Sequence, residues 1–161
     1  MADNVKNLKE LTELLSKKTI SEVVHQYILE KKPICFNGDE DLVYRLRKEL
    51  SEYFDVHIKE IEIVGSAKLG ISLNPNPIRH GKKFDKSSDI DLVVVSPSLF
   101  DVAWHELLKL DFEYHNLDTK EQEYLKSSYN TIHSGFISPD RLPKKSKFSI
   151  TWWNVFNSLS D

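Results

Sequence analysis

The chain has 161 residues, of which 40% are hydrophobic and 29% are charged, and this composition excludes a disordered or collagen-like protein. The length suits one compact domain, so we expect a single domain over residues 1–161. One cysteine, Cys35, excludes an internal disulfide and a zinc site of several thiolates, and the net charge of −3 does not indicate a general nucleic-acid binder.

The first third of the chain predicts helices. Apolar residues recur every three or four positions over Asn4–Lys17, which is the spacing of a helix with one apolar face. A second helix can be capped by Thr19 or Ser21, and Pro33 stops it. A third is expected over Asp39–Phe54, where apolar residues stack every four positions.

The middle of the chain changes to the period of strands. Glu60–Val64 alternates acidic and apolar residues, as a strand with one buried face does. It leads into Gly65–Gly70, a turn that we expect to open a helix, and Ile71–Ser88 follows as a loop rich in proline and basic residues. Asp89–Val95 ends in a continuous apolar run, which predicts a second strand buried at the centre of a sheet.

Helices are predicted again after the second strand. Ser96 followed by proline is a typical helix start, and it opens a helix over Ser98–Leu110. Further helices are expected over Lys120–Tyr129 and Ile150–Leu159, with an irregular segment, Gly135–Lys147, between them. The predicted fold is therefore α/β, of α+β type in detail, with a small mixed β-sheet flanked by helices.

Two carboxylates at the start of the second predicted strand indicate a cation site. Asp89 and Asp91 are separated by one residue, so on a strand they share a face with Cα atoms roughly 6–7 Å apart. Both can then bind one divalent cation, and Mg²⁺ prefers carboxylate oxygens while leaving positions for phosphate. Gly65 permits close backbone approach, and Ser66 offers a hydroxyl and an N–H group to phosphate at a helix start.

Two motifs in this order, IVGSAKLG at Ile63–Gly70 and SDIDLVVV at Ser88–Val95, resemble the nucleotidyltransferase superfamily typified by DNA polymerase β, including its minimal members. The resemblance implies a nucleotidyltransferase-like fold in which Asp89 and Asp91 are catalytic and bind Mg²⁺ or Mn²⁺. The residues that it assigns to nucleotide binding are Gly65, Ser66, Lys68 and Ser88.

Two features depart from that family's pattern. The segment between Ser66 and Asp89 is longer than in the shortest members, so Ile71–Ser88 includes an insertion. The third carboxylate that the family carries on a later strand has no clear counterpart. The candidates for it are Asp111, Glu113 and Asp140.

Two clusters of cations stand out in this acidic chain. Arg79 and Lys82, with Lys83 and Lys86, precede the aspartates, and they either hold phosphates or an RNA backbone or form a solvated loop. Their position favours phosphate binding, so Arg79 and Lys82 join the predicted nucleotide-binding set. The second cluster consists of Arg141, Lys144, Lys145 and Lys147. For this cluster a solvated surface is at least as good an interpretation as phosphate binding.

The resemblance implies an enzyme, a Mg²⁺-dependent nucleotidyltransferase that moves a nucleoside monophosphate from an NTP to a protein, an RNA or a small molecule. It also implies a partner protein, as in bacterial toxin–antitoxin or phage-defence modules. The alternative is a catalytically inactive nucleotide-binding or interaction module of the same fold, which the missing third carboxylate favours. An RNA binder that uses only the basic loop agrees less well with the net charge.

The cytoplasm is the expected location. The first ten residues lack the charged, apolar and small-residue pattern of a signal peptide. The longest apolar runs, such as Leu92–Val95, fall far short of the roughly 20 residues of a transmembrane helix. We therefore expect no membrane partner.

Overall fold

The computed structural model of the protein describes residues 7–158, and of Ser158 only the backbone. Its contacts divide the chain into two compact units, Met1–Val95 and Ser96–Asp161, and the single domain expected over residues 1–161 stays a prediction. The first unit holds α1 (Leu8–Lys17), α2 (Ile20–Val24, continued by a π-helical turn at His25–Leu29), α3 (Glu40–Phe54), β1 (Ile61–Val64), α4 (Gly65–Leu69) and β2 (Asp91–Val94). The second unit holds α5 (Pro97–Phe112), α6 (Thr119–Ile132) and α7 (Lys147–Ser158). Short 3₁₀ turns lie at Cys35–Gly38, Ile58–Glu60, Tyr114–Asn116 and Pro139–Arg141.

The three helices predicted for the first third of the chain are confirmed, and each begins at a capping side chain. Asn7 caps α1 by accepting a hydrogen bond from the N–H of Glu10. Thr19 and Glu22 form a capping box at α2, and Asp39 caps α3. Each cap satisfies N–H groups that have no partner within the helix, which contributes about 1 kcal/mol. The part of the first predicted helix that precedes residue 7 lies outside the described residues.

The sheet is smaller than predicted. β1 and β2 pair in antiparallel orientation, with Ile61 opposite Val94 and Val64 opposite Asp91. In the part of the chain that the structure describes, these two strands form the whole sheet. The α+β class is confirmed, whereas the mixed sheet is wrong because the strand pair found within residues 7–158 is antiparallel.

The second strand is also less buried than its apolar run predicts. Residues of β2 alternate between exposed and half-buried, and Val93 and the following Val95 are 42% and 60% exposed. A run of valines is typical of a strand that is buried on both faces. The prediction of a central strand is wrong because one face of β2 is exposed. The other face carries Leu92, which packs against the core.

β1 supplies the centre of the core of the first unit. Ile61 and Ile63 are completely buried. Ile63 packs in one cluster with Val43 of α3 and Ala67 of α4. The alternation predicted for this strand is thus confirmed, with the isoleucines inward and Glu62 half-buried between them.

Replacing Ile63 with alanine should lower the free energy of unfolding by about 2–5 kcal/mol, because it removes buried methyl groups and leaves a cavity. Val93→Ala is the matched control on the open face of the paired strand, and it should cost only about 0.5 kcal/mol. Chemical denaturation measures both values. Equal losses in the two variants would contradict the core assigned to β1.

The second unit is helical, as predicted. Ser96 caps α5 with a proline in the first turn, and both α6 and α7 begin earlier than expected. The Glu106 carboxylate accepts hydrogen bonds from the Ser146 hydroxyl (2.6 Å) and the Phe148 N–H (2.8 Å), which fastens the start of α7. Position 159, where the last predicted helix ends, lies outside the described residues. Across residues 7–158, every helix is too short or too polar to span a membrane.

Candidate active site

The Gly-Ser turn and the second aspartate meet where the two strands pair. Val64, the last residue of β1, lies opposite Asp91, the first residue of β2. The chain then turns at Gly65, whose φ of +62° is a left-handed conformation. A Cβ on Gly65 would lie 2.3 Å from Asp91 Oδ2 and 3.2 Å from Asp91 Cγ. A side chain at position 65 would therefore force the Asp91 carboxylate to move.

The two aspartates of the predicted metal site are both exposed. β2 begins at Asp91 rather than at Asp89, so Asp89 lies in the loop just before the strand. Within the described residues, neither carboxylate accepts a hydrogen bond or forms an ion pair. The oxygens of accessible carboxylates without partners suit a hard cation such as Mg²⁺ or Mn²⁺.

Ser66 lies directly beside this contact. It is the second residue of α4 and is half-buried. Val64 occupies the N-cap position of α4, and among the described residues no side chain caps the helix. Gly65, Ser66 and Asp91 therefore share one end of the strand pair, which is the placement that the predicted phosphate contacts need.

Lys68, also predicted to bind nucleotide, is buried beside Glu62. The Lys68 side chain is 2% exposed, and its Nζ lies 3.5 Å from Oε2 of Glu62 in β1. Burial lowers the pKa of Lys68, and the Glu62 carboxylate opposes that shift. Lys68 lines a cavity whose described lining includes neither the Gly65–Ser66 turn nor the two aspartates.

The insertion before the aspartates is a loop, as its composition predicts. The N–H of Ser72 donates to the Lys82 carbonyl, and one isolated bridge joins Ile71 to Lys83. Phe84 then packs against the core cluster that contains Ile63. This anchor holds the end of the loop close to the start of β2.

Asp85 is the centre of the hydrogen bonds in this loop. Its carboxylate accepts from the hydroxyl (2.6 Å) and the N–H (2.8 Å) of Ser87, and these bonds lower the pKa of Asp85 to about 2. Lys82 Nζ lies 3.4 Å from Asp85 Oδ2, and the Ser88 hydroxyl accepts from the Asp85 N–H at 3.0 Å. Lys82 and Ser88, both predicted to bind nucleotide, are thus organised by Asp85.

Sequence reasoning missed the role of Asp85. Its signal is the spacing Asp-x-Ser-Ser, because an aspartate commonly accepts a hydrogen bond from the backbone two residues onward. Arg79, the other predicted phosphate ligand of the loop, is exposed, and its backbone N–H donates to the Asn76 carbonyl (2.9 Å). Lys83 and Lys86 are exposed as well.

The three candidates for a third carboxylate all lie in the second unit. Asp111 is in α5, Glu113 follows that helix, and Asp140 accepts a hydrogen bond from the Ser138 hydroxyl. The described residues contain no group of three or more His, Cys, Asp or Glu side chains placed to share a metal ion. In the second basic cluster, Lys145 Nζ lies 3.0 Å from a Glu121 carboxylate oxygen, an ion pair within the unit.

Comparison with known proteins adds no relative. No family model, no curated protein and no solved structure matches the chain. The membership in the nucleotidyltransferase superfamily therefore stays a prediction, carried by the two motifs and by the contact between them.

Proposed function

We propose that the protein is a Mg²⁺-dependent nucleotidyltransferase that moves a nucleoside monophosphate from an NTP to an acceptor hydroxyl. The acceptor oxygen bonds to the α-phosphorus, the bond from that phosphorus to the bridging oxygen breaks, pyrophosphate leaves and the hydroxyl proton passes to water. Catalysis of such a transfer consists mainly of positioning and charge stabilisation. Bound Mg²⁺ supplies the charge that neutralises the phosphates and the leaving group.

The contact between Gly65 and Asp91 is the observation that carries this proposal. The glycine turn lies so close to the Asp91 carboxylate that a Cβ would lie 2.3 Å from Oδ2. A phosphate on the backbone of the turn would then be next to a cation held by Asp89 and Asp91. Both aspartates are exposed, so an NTP can reach them.

Neutralising the basic loop should weaken NTP binding. Replacing Arg79, Lys82 and Lys83 with glutamine should lower the affinity about tenfold, or roughly 1.4 kcal/mol, and flatten its salt dependence because exposed charges are screened. The free energy of unfolding should change by less than about 1 kcal/mol. Equilibrium binding at several salt concentrations measures the effect.

The matched control for the loop variant is a triple glutamine variant of the second basic cluster at Arg141, Lys144 and Lys147, which are exposed cations of the other unit. Its NTP affinity should equal that of the wild type. If the loop variant also retains wild-type affinity and salt dependence, the loop is a solvated surface.

The transfer itself is tested with Mg²⁺, each α-labelled NTP in turn and a cell extract as the source of acceptor. We expect labelled protein, RNA or small molecule together with pyrophosphate, and both products should depend on Asp89 and Asp91. Protease and ribonuclease treatment of the labelled material identifies the class of acceptor.

The second candidate function is an inactive nucleotide-binding module. It is supported by the finding that the described residues gather no third His, Cys, Asp or Glu side chain with the aspartate pair. This candidate predicts that an NTP binds in a manner that requires Asp89 and Asp91, while no acceptor is labelled and no pyrophosphate appears.

A further inference from the structure

A cavity of about 380 Å³ lies in the first unit. It is lined by α3, by the segment Leu29–Pro33, and by single residues of β1 and α4, Glu62 and Lys68. Its volume falls in the range of roughly 300–1,000 Å³ that is usual for small-molecule sites. Among the described residues that line it, none belongs to the Gly65–Ser66 turn or to the aspartate pair.

One carboxylate serves two cations at this cavity. Oε2 of Glu62 accepts a hydrogen bond from Arg47 Nη2 at 2.7 Å and lies 3.5 Å from Lys68 Nζ. Arg47 Nε is buried and, within residues 7–158, has no hydrogen-bond partner. An unpaired buried donor is costly, so the Glu62 carboxylate leaves the hydrogen-bonding capacity of Arg47 incompletely satisfied.

The lining carries five cations and three carboxylates, an excess of two positive charges in a chain whose net charge is −3. The cations are Lys31, Lys32, Arg47, Lys59 and Lys68, and the carboxylates are Glu30, Glu40 and Glu62. Lys32 pairs with Glu40, and Glu30 lies 3.2 Å from Nδ1 of His25. The shared Glu62 therefore leaves positive charge in excess at Arg47 and Lys68.

The remaining wall is apolar. Pro33, Val43 and Ile58 line the cavity, together with the ring of Tyr44, a residue that is 56% exposed. A ligand with a charged end for Arg47 and Lys68 and a flat or apolar body would match both parts of this surface. The exposed tyrosine ring offers a face on which such a body can stack.

We propose that this cavity binds a phosphate monoester whose organic part is about the size of a nucleoside. The phosphate would accept hydrogen bonds from the exposed part of the Arg47 guanidinium group, whose side chain is 22% exposed, and would lie near the buried Lys68 ammonium group. Its charge of about −1.5 to −2 would balance the excess of positive charge. The organic part would lie against Val43, Tyr44 and Ile58. This site is separate from the proposed NTP site and does not require Mg²⁺.

Titration of the full chain with AMP, adenosine and inorganic phosphate in the presence of EDTA tests the proposal, with amide NMR shifts as the readout. AMP should bind with a Kd below about 1 mM, or roughly −4 kcal/mol, and should bind at least tenfold more tightly than adenosine or phosphate. The shifted amides should belong to the cavity. If AMP does not bind, or shifts only amides around Gly65 and Asp91, the proposal is overturned.

Variants of α3 and β1 test the assigned contacts. Arg47→Gln should weaken AMP binding at least tenfold, whereas Arg45→Gln, an exposed arginine on the same helix that does not line the cavity, should leave it unchanged. Arg47→Lys retains a positive charge beside the Glu62 carboxylate, so it controls for a folding defect. It should also bind AMP more weakly than the wild type. Unchanged binding in Arg47→Lys and Arg47→Gln would overturn the proposal.

Two further variants separate this proposal from the proposed function. Glu62→Gln removes the carboxylate that competes for both cations, so it should bind AMP at least threefold more tightly than the wild type. The double variant Asp89→Asn with Asp91→Asn should bind AMP in EDTA as the wild type does. Loss of AMP binding in that double variant would place the ligand at the aspartates and overturn the separate site.

Discussion

Replacing Asp89 and Asp91 with asparagine should lower the rate of nucleotide transfer by about 10²–10⁴-fold, because a bound metal ion contributes several kcal/mol of stabilisation to the transition state. The fold should survive, since both carboxylates are exposed and neither has a partner among the described residues. The rate of pyrophosphate release measures the effect.

The control for this double variant is a pair of exposed aspartates elsewhere in the chain. Asp41→Asn with Asp101→Asn removes the same number of charges, from α3 and α5. Its transfer rate should equal that of the wild type. If the Asp89 and Asp91 variant transfers nucleotide at the same rate as this control, the aspartates do not hold the catalytic metal.

Replacing Gly65 with alanine should lower the transfer rate about 10²-fold, because a displacement of about 1 Å at a reacting centre costs that much. The new Cβ would lie 2.3 Å from Asp91 Oδ2, so the carboxylate must rotate away from its present place. The rotation itself is cheap for a side-chain end, but the left-handed φ of +62° adds about 1–2 kcal/mol of strain.

Gly135→Ala separates strain from the loss of the site. Gly135 also has a left-handed φ, +81°, and a Cβ there would have no neighbour within 4 Å. Thermal unfolding should show similar losses for both alanine variants, whereas only Gly65→Ala should lose transfer activity. Equal transfer rates in the two variants would contradict the role assigned to the contact between Gly65 and Asp91.

Local signals explain why the helices could be predicted from the sequence. Side chains that accept hydrogen bonds from the first free N–H groups mark the helix starts. They are Thr19, which forms a capping box with Glu22, and the capping residues Asp39 and Ser96. The burial of β2 could not be predicted in the same way. A run of valines indicates that a strand is apolar, but the packing of other elements decides whether one or both of its faces are buried.

The candidate site also has one feature that agrees with the sequence prediction and one that the sequence could not predict. Strand pairing brings Gly65 to Asp91, and this proximity agrees with the single site that the resemblance of the two motifs implies. The burial of Lys68 could not be predicted, because a lysine that follows a Gly-Ser turn is typical of an exposed phosphate ligand as well as of an ion pair. In the structure Lys68 is buried, as are Ala67 and Leu69, and its Nζ lies 3.5 Å from Glu62 Oε2.

The melting temperature with and without Mg²⁺ and an NTP tests the central claim most directly, because a ligand of the folded state stabilises the protein by about 2.7 kcal/mol at one hundred times its Kd. We expect Mg²⁺ and the NTP together to raise the melting temperature of the wild type and of the control variant at Asp41 and Asp101. The variant with asparagine at positions 89 and 91 should show no rise that requires Mg²⁺. A Mg²⁺-dependent rise of wild-type size in that variant would contradict a nucleotide site built on Asp89, Asp91 and Gly65.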